Sequence, residues 1–308
     1  MNKNIFNPTR FAHYLRKDWT ENCTRYIYYF LFAYVTLTIA FFLIDYARTE
    51  SVIQVKVEKE HHQIIQELKE NGHDLISMVL ISITSVVLNL FLAYTGSTFF
   101  RASQRRQGHI ADLTLPVSDA EKFAARWLRT AFLSVLLFAL AVVLADFTRV
   151  GLVRHICPDT NLSHPIDWLK YFRNSQLPSN ILEAYAIQAL FILGATYWHK
   201  RPFNNTFASV FLLSIFYYAV FAWISFFFID KESLEDFYRQ ARIKDWWLGL
   251  NVFLLVFGYV MSYLRMRRVS LIVSWKDRTS LALLAVAVAG LILCCWIPCD
   301  TAARLTAQ

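Results

Sequence analysis

The chain of 308 residues has few residues that break helices and few charged residues. It contains eight glycines and seven prolines, and 18% of its residues are charged against 56% that are hydrophobic. The glycines are scattered, so neither GxxxxGK[ST] nor GxGxxG can be written with them, which excludes phosphate-binding loops of these kinds. No segment between apolar runs exceeds about 35 residues, which is too short for an independent soluble domain of roughly 100 residues.

The cysteines and histidines form no standard metal or redox motif. The five cysteines include no CxxC pair. The sequence leaves open whether Cys157 and Cys299 form a disulfide, because both are expected on the same side of a membrane. His61 with His62, and the stretch His155–His164, could each ligate a metal, but their spacing matches no standard site. Because no catalytic constellation is found either, we expect no metal, no cofactor and no enzymatic activity.

What the sequence has is a series of long apolar runs. The runs are Tyr26–Ile44, Leu75–Phe99, Trp127–Ala145, Ile181–Tyr197, Phe207–Ile229, Leu248–Leu264 and Leu281–Pro298. Each is close to the roughly 20 residues that a helix needs to cross ~30 Å of hydrocarbon. A span must satisfy its own backbone hydrogen bonds, so each run is predicted to be an α-helix. The predicted fold class is therefore all-α, a polytopic transmembrane helical bundle with six core spans and a seventh, C-terminal span.

The distribution of basic residues predicts an orientation with the N-terminus in the cytoplasm. The predicted inside segments are the N-terminal tail, 100–126, 198–206 and 265–280. The predicted outside segments are 46–74, 146–180, 230–247 and the C-terminal tail. Every inside segment carries Lys or Arg close to a span, whereas the outside segments are mixed in sign and richer in acids. This bias explains the net charge of +8, so the charge gives no support for binding nucleic acid.

The N-terminal segment has the pattern of an amphipathic helix. Asn7 can cap it, and Pro8 stands at the first helical position, which tolerates proline. Its apolar residues recur at three- and four-residue spacing and are Phe11, Tyr14, Leu15 and Trp19. We expect such a helix to lie in the headgroup plane with these side chains toward the lipid. The predicted organisation is thus an interfacial helix over 1–25, a six-span domain over 26–268 and an additional span and tail over 269–308.

The segment between the second and third runs has the most specific local pattern. Pro116 ends any helix before it, and Ser118 with Glu121 forms an S-x-x-E capping box that begins a new helix. The pattern is typical of a well-capped connection that leads into the helix of the third span. It is equally typical of a rigid cytoplasmic segment that docks a partner protein through its charged side chains. The residues of this candidate docking segment are Arg105, Arg106, Pro116, Ser118, Glu121 and Lys122.

The spans contain almost no ionisable residues. Arg129 lies near one end of the third run, and Asp45 and Asp146 lie at the ends of runs. Ion-coupled transporters usually place such residues within spans, so this pattern argues against ion coupling. The uncharged Asn89 and Gln188 lie in mid-span, and we expect them to form interhelical hydrogen bonds. Their alternative role is to line a route for an amphipathic substrate.

Four short patches resemble the permeases of ABC-2-type transporters, particularly their small Bacteroidetes-like form. The string LPVSDAEKFAARWL, which begins at Leu115, resembles the LPAS-x-x-EKF-x-x-RWL segment of that family. The stretch Phe191–Thr206 is similar to the join between that family's fourth and fifth spans. Its matching positions are Gly194, Lys200, Phe203 and Thr206. The N-terminal pattern Phe6–Asp18 and the basic exit Tyr263–Arg268 also fit.

This resemblance implies the membrane subunit of an ABC-2-type exporter in the bacterial inner membrane, working as a homodimer or with a related permease chain. A separate ATPase subunit would supply hydrolysis, and the segment 101–126 with the N-terminal helix would dock it. The chain departs from the family in its seventh run, because those permeases usually end after the basic exit. The alternative is a non-transporting membrane scaffold or a regulatory subunit of a membrane complex.

Overall fold

All regular secondary structure is helical in the part of the chain that the structure describes. The computed structural model describes residues 6–58, 62–101, 115–156, 165–166, 168, 176–198, 200–228 and 243–269. The helices are α1 (Pro8–Glu58), α2 (His62–Ser97), α3 (Asp119–Trp127), α4 (Ser134–Ile156), α5 (Gln176–Tyr197), α6 (Pro202–Phe228) and α7 (Ile243–Val269). A π-helical segment, Leu128–Leu133, joins α3 directly to α4. The predicted all-α class is confirmed for these residues.

Several of these helices are long and apolar enough to cross a membrane. Four pass this criterion individually, and they cover Pro8–Ala47, Ser77–Ser97, Asp119–Ile156 and Leu248–Arg267. Helices α5 and α6 pass it only as a pair bent by 119°, which raises the number of candidates to five. The helical architecture is therefore compatible with an integral membrane protein, and the six core spans stay a prediction. The seventh run, Leu281–Pro298, lies outside the described residues.

The first two helices extend well beyond their apolar runs. We predicted a polar segment over 46–74, but α1 continues to Glu58 and α2 begins at His62. The sequence explains this extension, because no proline or glycine occurs between Pro8 and Gly72 to end or weaken a helix.

The main core lies where α1, α2, α4 and α5 meet. It is built mostly from alanines and large apolar side chains, which include Ala33, Leu37, Phe41, Leu80, Leu92, Phe138, Ala141, Ala145 and Ala184. The α1 members recur every four residues and therefore share one face of that helix. The opposite face of α1 exposes another apolar series, namely Tyr28, Phe32, Val35, Ile39 and Leu43. An exposed apolar face is what contact with lipid tails requires.

Glycines allow close helix contacts around α5. A Cβ atom on Gly258 of α7 would lie 2.8 Å from the Cβ of Ala189, and one on Gly96 of α2 would lie 2.8 Å from the carbonyl oxygen of Gln188. Gly194 of α5 is packed in the same way against the side chain of Thr206 of α6. Small residues at such contacts let helix backbones approach closely, which is how packing stabilises helix pairs in membranes.

Candidate functional site

The predicted capping box at the start of α3 is present. The Ser118 hydroxyl accepts the Glu121 backbone N–H at 3.3 Å, and the Glu121 carboxylate accepts the Ser118 backbone N–H at 2.8 Å. Two N–H groups that have no partner within the helix are satisfied in this reciprocal way. Pro116 is exposed in the turn just before the cap, where the Val117 backbone N–H donates to the Leu115 carbonyl oxygen at 2.8 Å.

Glu121 also binds the start of α1. Its carboxylate accepts the Asn7 backbone N–H at 2.7 Å, and it accepts Nε and Nη2 of Arg10 at 3.1 and 2.9 Å. The Glu121 side chain is 0% exposed. Asn7 in turn caps α1 as predicted, because its Oδ1 accepts the Thr9 backbone N–H at 3.1 Å. One buried carboxylate therefore holds together the first turns of two helices that are far apart in the sequence.

These hydrogen bonds keep Glu121 ionised. Burial alone would raise the pKa of its carboxyl group, because the charged form loses hydration. The donors on Arg10, Asn7 and Ser118 outweigh that effect and lower the pKa from 4.5 to about 2. Glu121 precedes the apolar run that begins at Trp127, so this carboxylate lies ahead of the third predicted span.

A second buried ion pair lies further along the same two elements. Asp18 of α1 pairs with Arg129 of the π-helical segment, and both side chains are 9% exposed. The Asn22 side chain donates to Asp18 at 3.3 Å, and the Arg129 guanidinium lies 5.9 Å from the centre of the Tyr26 ring. We call the set of Asn7, Arg10, Asp18, Ser118, Glu121 and Arg129 the N-terminal junction.

A buried polar contact lies beside the π-helical segment. The Gln188 side chain of α5 donates to the Thr130 carbonyl at 2.9 Å and to the Thr95 hydroxyl of α2 at 3.4 Å. Its carbonyl oxygen accepts the Tyr259 hydroxyl of α7 at 3.1 Å. Gln188 is 0% exposed, so the predicted interhelical hydrogen bond is confirmed. For Asn89, by contrast, the side-chain oxygen has no hydrogen-bond partner among the described residues.

A further charged cluster ties α1 to the other end of α4. Arg149 contacts Asp45 of α1 at 3.2 Å and Asp146 of its own helix at 2.8 Å. Asp146 also accepts the Ile166 backbone N–H at 2.9 Å and the Trp168 indole N–H at 3.1 Å. All three charged side chains are buried. We call Asp45, Asp146 and Arg149 the distal cluster.

The residues of the candidate docking segment fall into different environments. Pro116 is exposed and Ser118 is partly buried, whereas Glu121 and Lys122 are both buried. The carboxylate of Glu121 is engaged with Arg10 of the same chain. Arg105 and Arg106 lie outside the described residues.

The predicted interfacial helix is continuous with the first predicted span. Since α1 runs unbroken from Pro8, its first part cannot lie in the headgroup plane while its continuation crosses the bilayer. Tyr14 is buried, Phe11 and Leu15 are partly buried, and Trp19 is exposed. These side chains therefore do not share one lipid-facing surface, and part of the stripe packs within the protein.

Several residues of these contacts were not predicted from the sequence. Neither the pairing of Asp18 with Arg129 nor that of Arg149 with Asp45 is predicted from the sequence. The spacing of Asp146 and Arg149, three positions apart on one helix, is the local signal that could have identified their pairing. No comparable signal points to Tyr259, because its partner is distant in the sequence.

Comparison with family models, curated proteins and solved structures finds no match to this chain. Among the described residues, no group of three or more His, Cys, Asp or Glu side chains is arranged to hold a metal ion. Within the N-terminal junction, the charged residues contact one another. The same holds within the distal cluster. Their arrangement suits mechanical connection between helices.

Proposed function

We propose that this chain is the membrane-spanning subunit of an ABC-2-type transporter, acting in export and powered by a separate ATPase subunit. The observation that carries the proposal is the contact between Glu121 and Arg10. These residues belong to two of the patches that resemble the permeases. Their contact supports the idea that the N-terminal segment and the α2–α3 connection form one docking unit.

The N-terminal junction offers a route for force from such an ATPase. A push on the exposed turn at Pro116 would reach α3 directly, since that turn immediately precedes the helix. The buried charged contact between Glu121 and Arg10 would carry α1 with it. Beyond α3, the helix continues through the π-helical segment into α4. π-Helical turns are often found at functional sites, which makes this segment a suitable place for α3 and α4 to change register.

The second patch of resemblance adds support from another part of the bundle. Two of its matching positions, Gly194 and Thr206, are packed against each other across the α5–α6 corner. A third, Phe203, contacts the rings of Tyr94 and Phe191 at 5.8 and 5.4 Å between centroids. The matching residues thus have packing roles in this chain, as the proposal expects of residues that belong to a common architecture.

The proposal places the N-terminus and the α2–α3 connection in the cytoplasm. In a cysteine-free variant, a cysteine at Gln66 should react with an impermeant thiol reagent in intact cells. A cysteine at Gln107 should react only after permeabilisation. The reverse labelling pattern would contradict this orientation and the charge bias on which it rests.

The proposed partnership is tested by purifying the tagged chain from its native membrane and assaying for an ATPase subunit. We expect the wild-type chain to retain the ATPase and Glu121→Ala to lose it, because alanine removes both the cap and the Arg10 contact. Glu121→Gln can complete the cap but has no charge. It therefore separates the effect of losing the helix cap from the effect of losing the charged contact with Arg10. Glu21→Gln is the matched control, since Glu21 is an exposed acid on α1. Absence of any ATPase from the wild-type chain would favour the non-transporting scaffold.

A further inference from the structure

The π-helical segment Leu128–Leu133 acts as one extra residue within the continuous α3–α4 helix. In a π-helix each backbone N–H reaches the carbonyl five residues back instead of four, so a carbonyl beside such a segment loses its usual donor. The Thr130 carbonyl accepts the side-chain amide of Gln188 at 2.9 Å. The neighbouring carbonyl of Ala131 accepts the Tyr185 hydroxyl at 3.3 Å. Both donors belong to α5, which therefore stabilises the π-helical segment from another helix.

The α3–α4 helix buries every fourth residue on both sides of this segment. These buried positions are Lys122, Arg126, Thr130, Ser134, Phe138 and Val142. A spacing of four residues drifts by about 40° per step around an α-helix, because one turn contains 3.6 residues. A π-helical segment has more residues per turn and takes back part of that drift. The extra residue thus helps to keep the buried faces of α3 and α4 in phase, as the ion pairs of both ends with α1 require.

A move of this segment along α4 would leave the ends of the helix in place. Moving it toward the C-terminus of α4 would rotate only the residues that it passes, by about 100°, the angle of one residue. Leu133 would then take the place of Ser134. Leu137 would take that of Phe138, so apolar side chains would still fill the core. Such a move exchanges hydrogen bonds between uncharged groups. It costs far less than turning the whole of α3, which would break the buried ion pair that Arg129 forms with α1.

We propose that the π-helical segment is a movable element of the fold, held in its present place by Gln188 and Tyr185 of α5. Gln188 also accepts the Tyr259 hydroxyl of α7 at 3.1 Å and donates to the Thr95 hydroxyl of α2 at 3.4 Å. The orientation of its amide therefore depends on α2 and α7. A displacement of either helix that turns this amide away from Thr130 releases the segment, and part of α4 then rotates. The proposal does not depend on the transport function proposed above, because every contact that it uses lies between described helices.

Distances between spin labels in the full-length, cysteine-free protein in lipid nanodiscs test this proposal. One label replaces Leu136, an exposed residue of α4 just beyond the segment, and the second replaces the exposed Phe32 of α1 or Phe253 of α7. We expect one distance for each pair when α5 is unchanged. Gln188→Leu combined with Tyr185→Phe should add a second distance to at least one pair. The reason is that a rotation of about 100° moves a side chain at the helix surface by about 8 Å. Unchanged distances for both pairs would overturn the proposal.

Deletion of Phe132 is the main control, because it removes the extra residue at an exposed position of the segment. The protein should still fold, and Gln188→Leu with Tyr185→Phe should no longer add a second distance in this background. Deletion of the exposed Ile39 from α1, a continuous α-helix, should instead prevent folding, because it puts the two ends of α1 out of phase. Loss of folding on deletion of Phe132 would show that the segment is not an insertion and would overturn the proposal.

A label at the exposed Leu152, near the end of α4, distinguishes local rotation from movement of the whole helix. Its distances should stay the same in every variant. A shift at Leu152 as large as that at Leu136, or a second distance that persists after deletion of Phe132, would contradict the proposal. If the double substitution in α5 prevents folding, Tyr185→Phe alone gives the same decision through a smaller population of the second distance.

Discussion

The N-terminal junction and the distal cluster connect the same two structural elements at opposite ends. At one end Asp18 of α1 pairs with Arg129, and at the other Asp45 of α1 pairs with Arg149. Arg129 and Arg149 lie about 30 Å apart along their continuous helix at 1.5 Å per residue, which is close to the hydrocarbon thickness of a bilayer. Helix α1 is thus fastened to the α3–α4 helix on both sides of the apolar core.

The two ends differ in their balance of charge. In the N-terminal junction each acid has its own arginine, because Glu121 contacts Arg10 and Asp18 contacts Arg129. In the distal cluster two buried acids share Arg149, and the N–H groups of residues 166 and 168 compensate the additional negative charge. When both members of a neutral ion pair are replaced by apolar residues, no buried charge remains. In a cluster with one more acid than arginine, the stability of the buried acids depends on every hydrogen-bond donor that contacts them. This difference predicts how substitutions at the two ends behave.

Arg149→Met should have the largest effect on stability. It removes the arginine that both buried acids, Asp45 and Asp146, contact, and loss of one partner from a buried pair costs about 3–5 kcal/mol. We expect poor accumulation and a large fall in the free energy of unfolding, measured by thermal or denaturant unfolding in lipid. Arg154→Met, at an exposed position of the same helix, should change stability by less than about 0.5 kcal/mol. A loss below about 1 kcal/mol for Arg149→Met would show that the distal cluster does not need its arginine.

A double substitution should separate the two ends. Arg129→Met alone should cost about 3 kcal/mol, since it leaves Asp18 buried and unpaired. Adding Asp18→Leu should recover most of that loss, because no uncompensated charge remains. The corresponding distal pair, Asp45→Asn with Arg149→Met, should recover little, since Asp146 stays charged. The coupling energies come from the unfolding free energies of the wild type, the two double variants and the four single variants, which are Arg129→Met, Asp18→Leu, Arg149→Met and Asp45→Asn. Additive losses at the N-terminal junction would contradict the distinction.

Glu121→Ala should loosen the N-terminal junction with a smaller effect on the whole bundle. It removes the acceptor of Arg10, Asn7 and Ser118, so we expect a local loss of about 2 kcal/mol. The measurement is amide hydrogen exchange in the first two turns of α1, which should become faster while exchange in α4 is unchanged. Glu21→Ala, an exposed control on α1, should leave both rates unaltered. Unchanged exchange in Glu121→Ala would show that other contacts hold α1 in place.

The smallest expected effect is that of pH. Because the pKa of Glu121 is lowered from 4.5 to about 2, its charged form adds stability that is complete above pH 4.5 and lost as the pH falls toward 2. Spin labels at the exposed positions Thr9 and Pro116 should therefore keep their distance from about pH 7 to about pH 5 and separate only in strong acid. Separation already near neutral pH would conflict with the tight hydrogen bonding of Glu121.

The local parts of this structure could be predicted, and the long-range parts could not. The cap of Asn7 on α1 and the Ser118–Glu121 box depend on residues within one turn, so their spacing was sufficient to identify them. The sequence predicted that Gln188 forms an interhelical hydrogen bond, because an amide side chain in the middle of a span must find a partner. Its particular partners were not predicted, since nothing local in the sequence relates Thr95 or Tyr259 to α5.

The fold shows the same division between local and distant signals. Apolar runs identified the positions of the helices but not their lengths, since the extension of α1 to Glu58 depends on the absence of helix breakers outside the run. The corner between α5 and α6 carries a local signal in Pro202, but its 119° bend also depends on the contact of Gly194 with Thr206. The pairing of Glu121 with Arg10 had no signal in the single sequence, because the two residues are 111 positions apart.

Photo-crosslinking from Pro116 in the native membrane tests the proposed function most directly. A photoreactive residue at this exposed turn should form an adduct with a polypeptide that contains a phosphate-binding loop, identified by peptide sequencing. The same residue at Phe32, which is 74% exposed on the apolar face of α1, should give no such adduct. We expect the Pro116 adduct to diminish in Glu121→Ala. Adducts from Pro116 that never include an ATPase, with the chain correctly inserted, would contradict the assignment of this chain as the membrane subunit of an ABC-2-type transporter.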